Sequence, residues 1–184
     1  MGEDEPQLID PTAQLSEAYL SFIDEFQAAG EQSHKEDRAK IEQLGGFAAY
    51  VRRIGEKAKG IDIPEGKVPG NTYWLVHGQE VLGTIRLRCA LNAQLENEGG
   101  HIGYDVRPSQ RGKGYATLML KLVLDRARRA GLKRVLVTCN RDNAASARVI
   151  ENNGGVWEDE RISQESGKTV SRYWIDLGDE AHRS

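Results

Sequence analysis

The chain has 184 residues, which at ~150 residues per domain makes one domain with a single sizeable core. A hydrophobic fraction of 39% argues against disorder, and no apolar run approaches the ~18 residues of a membrane span. Net charge is only -3, but residues 1–31 hold eight acids and no Lys or Arg, whereas residues 107–134 hold nine bases against Asp125 alone. A nucleic-acid binder would need a basic domain with interleaved aromatics, so neither nucleic acid nor membrane is expected as a partner. The opening MGEDEPQLID is acidic where a secretion signal would be basic. Cys89 and Cys139 stand fifty residues apart, with neither metal nor redox spacing. A cytoplasmic protein without a metal is expected, with a homodimer left open.

In chain order, a short strand is predicted at 7–9, stopped by Asp10-Pro11, then a helix over 15–29 with Leu15, Tyr19, Phe22, Ile23 and Phe26 on one face. Residues 31–46 are polar and end in Gly45-Gly46. A second amphipathic helix covers 47–57. The period then changes to that of strands: 72–76 and 81–87 flank a hairpin-like turn at His77-Gly78. After a loop from Asn92 to Gly100 comes a strand at 101–106, ended by Pro108. A Gly-rich turn leads into a helix reaching Ala130, with Arg126, Arg128 and Arg129 complementing its C-terminal dipole and Gly131 as its cap. A strand at 135–138, a helix at 143–152 and a hairpin of 156–162 with 171–177 complete the chain. The order of helices, antiparallel strands and then β-α-β-α-β-β predicts a mixed α/β (α+β) sheet with one crossover, not a doubly wound fold.

The most informative stretch is VRPSQRGKGYATLMLKLVL, residues 106–124. A strand ends, Gly112 and Gly114 occupy the turn, and a long helix begins. Such glycines let backbone amides converge on an anion, and the helix adds its positive end. Arg111 and Lys113 add whole charges, and the product is a pyrophosphate cradle. A P-loop run is absent, and the dinucleotide fingerprint fails because Thr117 stands where its third glycine should be. The pattern R-x-x-G-x-[GA] is met by Arg111, Gly114 and Ala116.

With HIGYDVRPSQRGKGYA followed by KRVLVTCNRDNAASARVIENNGG, the chain resembles the GNAT superfamily of acetyl-coenzyme-A-dependent N-acetyltransferases. The resemblance implies a mixed, mostly antiparallel sheet of six to seven strands, flanked by about four helices, with two central parallel strands splayed apart. Residues 1–184 would form a single domain, 1–70 being a variable helical acceptor-side part and 72–177 the acetyl-CoA-binding core. By the same resemblance, the backbone amides of Arg111, Gly112, Lys113, Gly114, Tyr115 and Ala116, with Thr117 beside them, would hold the pyrophosphate of acetyl-CoA. The strand end Tyr104, Asp105 and Val106 would pair with the pantetheine arm. Asn143 would hydrogen-bond that arm, and Ser146 would line the same groove.

Acetyl transfer to an amine needs a base for the ammonium proton, a donor for the carbonyl oxygen and modest help for the leaving thiolate. The tyrosine that many GNAT enzymes place in the helix after the fifth strand is replaced here by Ile150. Tyr173 is the substitute donor to test. His101 occupies the place of a carboxylate in the similar E-I-G-Y strands and is the candidate base, with Glu98 in reserve. Cys139 reads as a groove or core residue. Tyr50, Trp74, Trp157 and Trp174 read as core or groove walls, and His34, His77 and His182 as surface histidines. The acidic stretch at 1–31 could attract a cationic amine. The expected activity is acetyl transfer from acetyl-CoA to a primary amine in a ternary complex, on a small-molecule or peptide acceptor. A catalytically weak acyl-CoA-binding sensor or partner-binding module on the same fold is the alternative.

Overall fold

The computed structural model describes residues 5–164 and 166–178, so Glu3, Asp4 and His182 lie outside the described residues. Strand β1 (Gln7–Ile9) precedes helices α1 (Ser16–Ala28), α2 (Asp37–Gln43) and α3 (Phe47–Ala58). Then come β2 (Asn71–His77), β3 (Glu80–Leu87), the short α4 (Ala93–Asn97) and β4 (Ile102–Val106). Helix α5 (Tyr115–Arg129) leads to β5 (Arg134–Asn140), α6 (Ala144–Glu151), β6 (Val156–Ile162) and β7 (Thr169–Asp176). The strands form one sheet in the order β1-β2-β3-β4-β5-β7-β6, antiparallel throughout except between β4 and β5.

Alternation along the strands sends side chains to two separate cores. On one face, Leu75, Ile85 and Val137 pack with Met119, Leu120 and Val123 of α5. On the other, Trp74, Val76 and Val81 meet Tyr19, Phe22 and Phe26 of α1 and Tyr50 of α3. Each fully buried Phe or Leu contributes about 1.5–3 kcal/mol of transfer free energy. Helix α5 ends as its sequence predicts. Gly131 takes φ 84°, and the Leu132 amide bonds back to the Ala127 carbonyl. Two arginines of its last turn bridge to neighbours: Arg126 reaches the Leu8 carbonyl at 2.7 Å and Arg128 that of Leu177 at 2.9 Å.

The structure adds an element and overturns one expectation. The polar stretch 31–46 contains α2, whose pattern is faint because of its seven residues only Asp37 and Ile41 are buried. Trp157 is no wall at all: it stands 56% exposed on the edge strand β6.

The feature that opens the fold lies between β4 and β5. They share a single registered pair, Ile102 with Val137, and then separate. His101 closes the paired end from both sides. Its amide donates to the Leu136 carbonyl, and its Nδ1 accepts the Leu136 amide, at 2.8 and 2.9 Å. The ring is buried, edge-on to Trp174. Burial, and then the charges of Arg88 and Arg134, hold its pKa below the ordinary value. The lone pair that a catalytic base would use is therefore already engaged by the backbone, which favours a structural clamp over the expected base.

A neutral histidine with a depressed pKa stabilises the fold fully above its unfolded value of about 6.5. That contribution falls as the pH drops further, because the unfolded chain takes up a proton the native ring refuses. Chemical denaturation at pH 8 and pH 5.5 should show His101→Gln, which keeps an acceptor, losing less stability on acidification than wild type. His101→Ala should cost about 1–3 kcal/mol at pH 8, by stranding the Leu136 amide.

Candidate active site

The turn after β4 has the conformation its glycines suggest. Gly112 and Gly114 take φ 75° and 84°, and nothing lies within 4 Å of where a Cβ would stand on either. Gly114 is the N-cap of α5 and brings no capping side chain. The first-turn amides of Tyr115, Ala116 and Thr117 thus have no intrahelical acceptor, next to the open space at the two glycines, and such amides suit an anion. The flanking charges behave differently from expectation. Arg111 is drawn into a bidentate pair with Glu31 at 2.6 and 2.8 Å, beside the Phe26 ring. Lys113 reaches Gln110 at 2.8 Å. An anion held at this turn would therefore meet chiefly backbone amides.

Beyond the hollow, the separation of β4 from β5 leaves the β5-facing edge of Tyr104, Asp105 and Val106 without a ladder partner, while their other edge pairs with β3. The Tyr104 hydroxyl crosses the gap to Ser146 Oγ at 2.7 Å. Burial pushes that phenol up to about 12, so it stays protonated. Asn143 accepts the Ser146 amide at 3.0 Å as N-cap of α6, leaving its amide nitrogen available. Tyr173 is buried on β7; burial, and then the neighbouring Cys139, raise its pKa. Burial also raises the Cys139 thiol. Tyr104, Ser146, Cys139 and Tyr173 thus gather in one place, and Ile150 is fully buried behind them.

The opposite side of β4 holds what the sequence concealed. Two adjoining cavities, of about 750 and 560 Å³, share Asp37, Tyr50, Thr72, Arg86 and Arg88 as a common wall. Glu98, Thr138 and Cys139 line the larger. His34, Gly103 and Asp105 line the smaller, and Gly103 leaves its side of β4 open. His101 borders neither.

His34 is not a surface residue. Its ring lies edge-on to Phe22 and Phe26, with centroids 5.0 Å away, and its side chain is 13% exposed. The backbone takes φ 60°, unusual for a residue with a Cβ. Nδ1 sits 2.8 Å from Asp37 Oδ2, which also accepts the Tyr19 hydroxyl at 3.0 Å. Tyr50 stands 3.1 Å behind Tyr19. Burial pushes the Asp37 carboxyl up, but hydrogen bonds from His34 and Tyr19, with the His34 charge, hold it below its usual value. Asp37 thus engages Nδ1 of His34 and leaves Nε2 as the ring nitrogen turned toward Asp105. That atom is buried without a hydrogen-bond partner, 3.7 Å from Asp105 Oδ2. Ser33 donates to the other oxygen of Asp105 at 3.1 Å. A histidine ahead of a carboxylate at i,i+3 is the one sequence signal that could have revealed this group.

The acids of α1 face elsewhere. Glu25 takes Arg107 and the Ser109 amide at 2.6 and 3.2 Å, and Asp24 pairs with Arg38. They hold α1 to the turn and to α2.

The model of the acetyltransferase (GNAT) domain matches residues 33–156. No curated protein matches the chain by sequence. Among solved structures, the chain is similar to the Salmonella typhimurium acetyl transferase that modifies the N-terminal serine of ribosomal protein L7/L12. Identity is 17%, with 94% of this chain and 95% of that one covered at a TM-score of 0.66. It is also similar to YncA of Salmonella typhimurium, a putative acetyltransferase solved with acetyl-CoA, at 16% identity, coverage of 97% and 98% and a TM-score of 0.63. A spermidine N-acetyltransferase chimera of Vibrio cholerae SpeG and hSSAT gives 16% identity, coverage of 95% and 96% and a TM-score of 0.64. At these identities the structures speak for the fold, whereas the domain match spans about two thirds of the sequence. The chain belongs to the GNAT acetyltransferase family.

Proposed function

We propose that this protein transfers the acetyl group of acetyl-CoA to a primary amine, by direct attack of the amine on the thioester in a ternary complex. The observation that carries the proposal is the pairing of two half-sites across β4. An uncapped helix start and an open strand edge face one side of the strand, and a buried His–Asp pair with a free imidazole nitrogen lies on the other.

On the acetyl-CoA side, the amides from Arg111 to Thr117 hold the pyrophosphate, and the edge of Tyr104 to Val106 pairs with the extended pantetheine arm as an added strand. Asn143 offers its side-chain amide to the same arm, and Ser146 lines the groove. On the acceptor side, Asp105 orients the incoming ammonium, and His34 Nε2 takes its proton, directly or through that carboxylate. Asp37 stabilises the imidazolium formed, with Tyr19 and Tyr50 fixing Asp37 in turn. Carbonyl attack and thiol departure then need no acyl-enzyme. The protonated hydroxyl of Tyr104, held across the gap by Ser146, donates to the leaving sulfur, with Tyr173 behind it. Glu98, which lines the larger cavity, stays the reserve base.

Thiol release from acetyl-CoA against a panel of amines tests the activity. Turnover with an amine is expected, and tight acetyl-CoA binding without turnover on any amine would favour a sensor. His34→Ala should lower kcat by about 10²–10⁴-fold and remove the acid limb of the pH–rate profile, with acetyl-CoA affinity nearly intact. A folded variant that keeps the wild-type rate and pH profile would exclude His34 as the base.

The cradle is tested at Gly114. A β-branched residue there must adopt a left-handed backbone costing ~1–2 kcal/mol, and its side chain would fill the hollow. Gly114→Val is therefore expected to weaken acetyl-CoA binding at least tenfold, about 1.4 kcal/mol. Calorimetry showing unchanged affinity in a folded variant would remove the site from the turn.

A further inference from the structure

The chain matches its cations with carboxylates at most of its buried or bridging positions. Arg107 meets Glu25 and Glu80, Arg111 meets Glu31, and Arg172 meets Glu158 and Asp159. The larger cavity on the acceptor side breaks that habit. Lys40, Lys57, Lys67, Arg86 and Arg88 line it, against the carboxylates of Asp37 and Glu98. Asp37 is already engaged by His34 and Tyr19. Lys40 is taken by Glu36 at 3.0 Å. Arg88 reaches only a neutral partner, the Gly100 carbonyl, at 3.2 Å. Among the described residues, Arg86, Lys57 and Lys67 make no ion pair.

Arg86 lies on β3 and Arg88 one residue past its end, and both line the two cavities. The loop before β2 presses them together. A Cβ on Gly70 would stand 3.3 Å from Cγ of Arg88 and 3.4 Å from Cγ of Arg86, leaving both stems packed against its backbone. Holding like charges side by side is costly. Burial, and then the charge of Arg86, push Arg88 down to about 10. Lys57 is lowered by burial, followed by the charges of Arg53, Lys40 and Arg86. A fixed, partly desolvated group of cations with no counter-charge of its own fits an anion, and guanidinium is the side chain suited to fork-like contact with carboxylate or phosphate. The same arginines border the smaller cavity, where His34 and Asp105 lie.

We infer that Arg86 and Arg88, with Lys57 beside them, form an anion subsite next to the proton-accepting histidine, so that the acceptor is an amine bearing a carboxylate or phosphate group. This inference rests on the acetyl-transfer proposal and names the substrate class for that same site. It reverses the cationic acceptor that the acidic N-terminal residues suggested.

The test compares matched amines in the thiol-release assay: β-alanine against 3-aminopropanol, O-phosphoethanolamine against ethanolamine, and spermidine as the cationic case. The anionic member of at least one pair should have kcat/KM tenfold or more above its neutral partner, and which pair responds separates carboxylate from phosphate. Arg86→Gln should remove most of that preference, and Arg86→Lys should retain part of it. Added salt should weaken the preference, as screening requires. Arg86 is exposed, so its replacement should leave the fold intact, and unchanged acetyl-CoA affinity by calorimetry would verify this. Equal rates within both pairs, a preference for spermidine, or a preference untouched by Arg86→Gln would overturn the inference. A second arm separates it from the activity itself: calorimetric titration of β-alanine and of O-phosphoethanolamine into protein saturated with coenzyme A. Arg86-dependent binding without turnover of any amine would uphold the subsite and sink the transfer reaction. No binding together with no anionic preference would sink the subsite alone, wherever a neutral amine is turned over.

Discussion

The structure turns on the parting of β4 and β5 after a single registered pair. Parallel strands in the middle of a sheet ordinarily stay paired, because each buried amide and carbonyl needs a partner. Here the separation is held from both ends. His101 locks the closed end by meeting both polar groups of Leu136. The Tyr104–Ser146 hydrogen bond spans the open end between β4 and α6. The unpaired edge of β4 has the pairing demand of an edge strand, which on the proposed function an extended ligand would meet.

The same strand organises the other side. In β4, Gly103 and Asp105 face the helices of the N-terminal third, while Ile102, Tyr104 and Val106 pack toward α5 and α6. A bound thioester at the open edge and an amine over Gly103 would meet across one strand's thickness. On the proposed mechanism, the acceptor-side chemistry comes from a connection with little regular structure. His34 is held in a left-handed backbone by the phenyl rings of α1, and its Nδ1 is engaged by Asp37 at the first turn of α2.

Charge patterning has a structural use different from the one its distribution suggests. The acids of α1 and the bases of the β4–α5 turn are complementary blocks, and they find each other: Glu25 with Arg107, Glu31 with Arg111. Exposed pairs of this kind add little stability, typically 0–1 kcal/mol each, but buried Arg107 fixes where α1 lies against the turn. Among the described residues, Arg86, Arg88 and Lys57 line one cavity without an ion pair, and no block pattern marks them.

The sequence by itself determined the sheet's order of elements, the turn at Gly112 and Gly114, the cap at Asn143 and the membership that these imply. All are local: a period of two or 3.6, a left-handed glycine before a helix, an Asn at a helix start. Two histidines mark its limit: that His34 is enclosed, and that His101 is bonded through Nδ1, are not written in it. Both sit in polar surroundings in the sequence, and what separates them is which distant atoms reach their two nitrogens. Leu136, thirty-five residues away, occupies Nδ1 of His101. For His34, Asp37 is near in sequence, but Phe22, Phe26 and Asp105 are brought by α1 and β4. Helix α2 was likewise invisible, since only Asp37 and Ile41 turn inward. The proposed anion subsite depends on Gly70 packing against the stems of Arg86 and Arg88, and on Arg86 making no ion pair among the described residues. Only the tertiary structure decides such matters, because burial and pairing are properties of neighbours in space, and one-dimensional patterns record neighbours only a helical turn or a strand pleat apart.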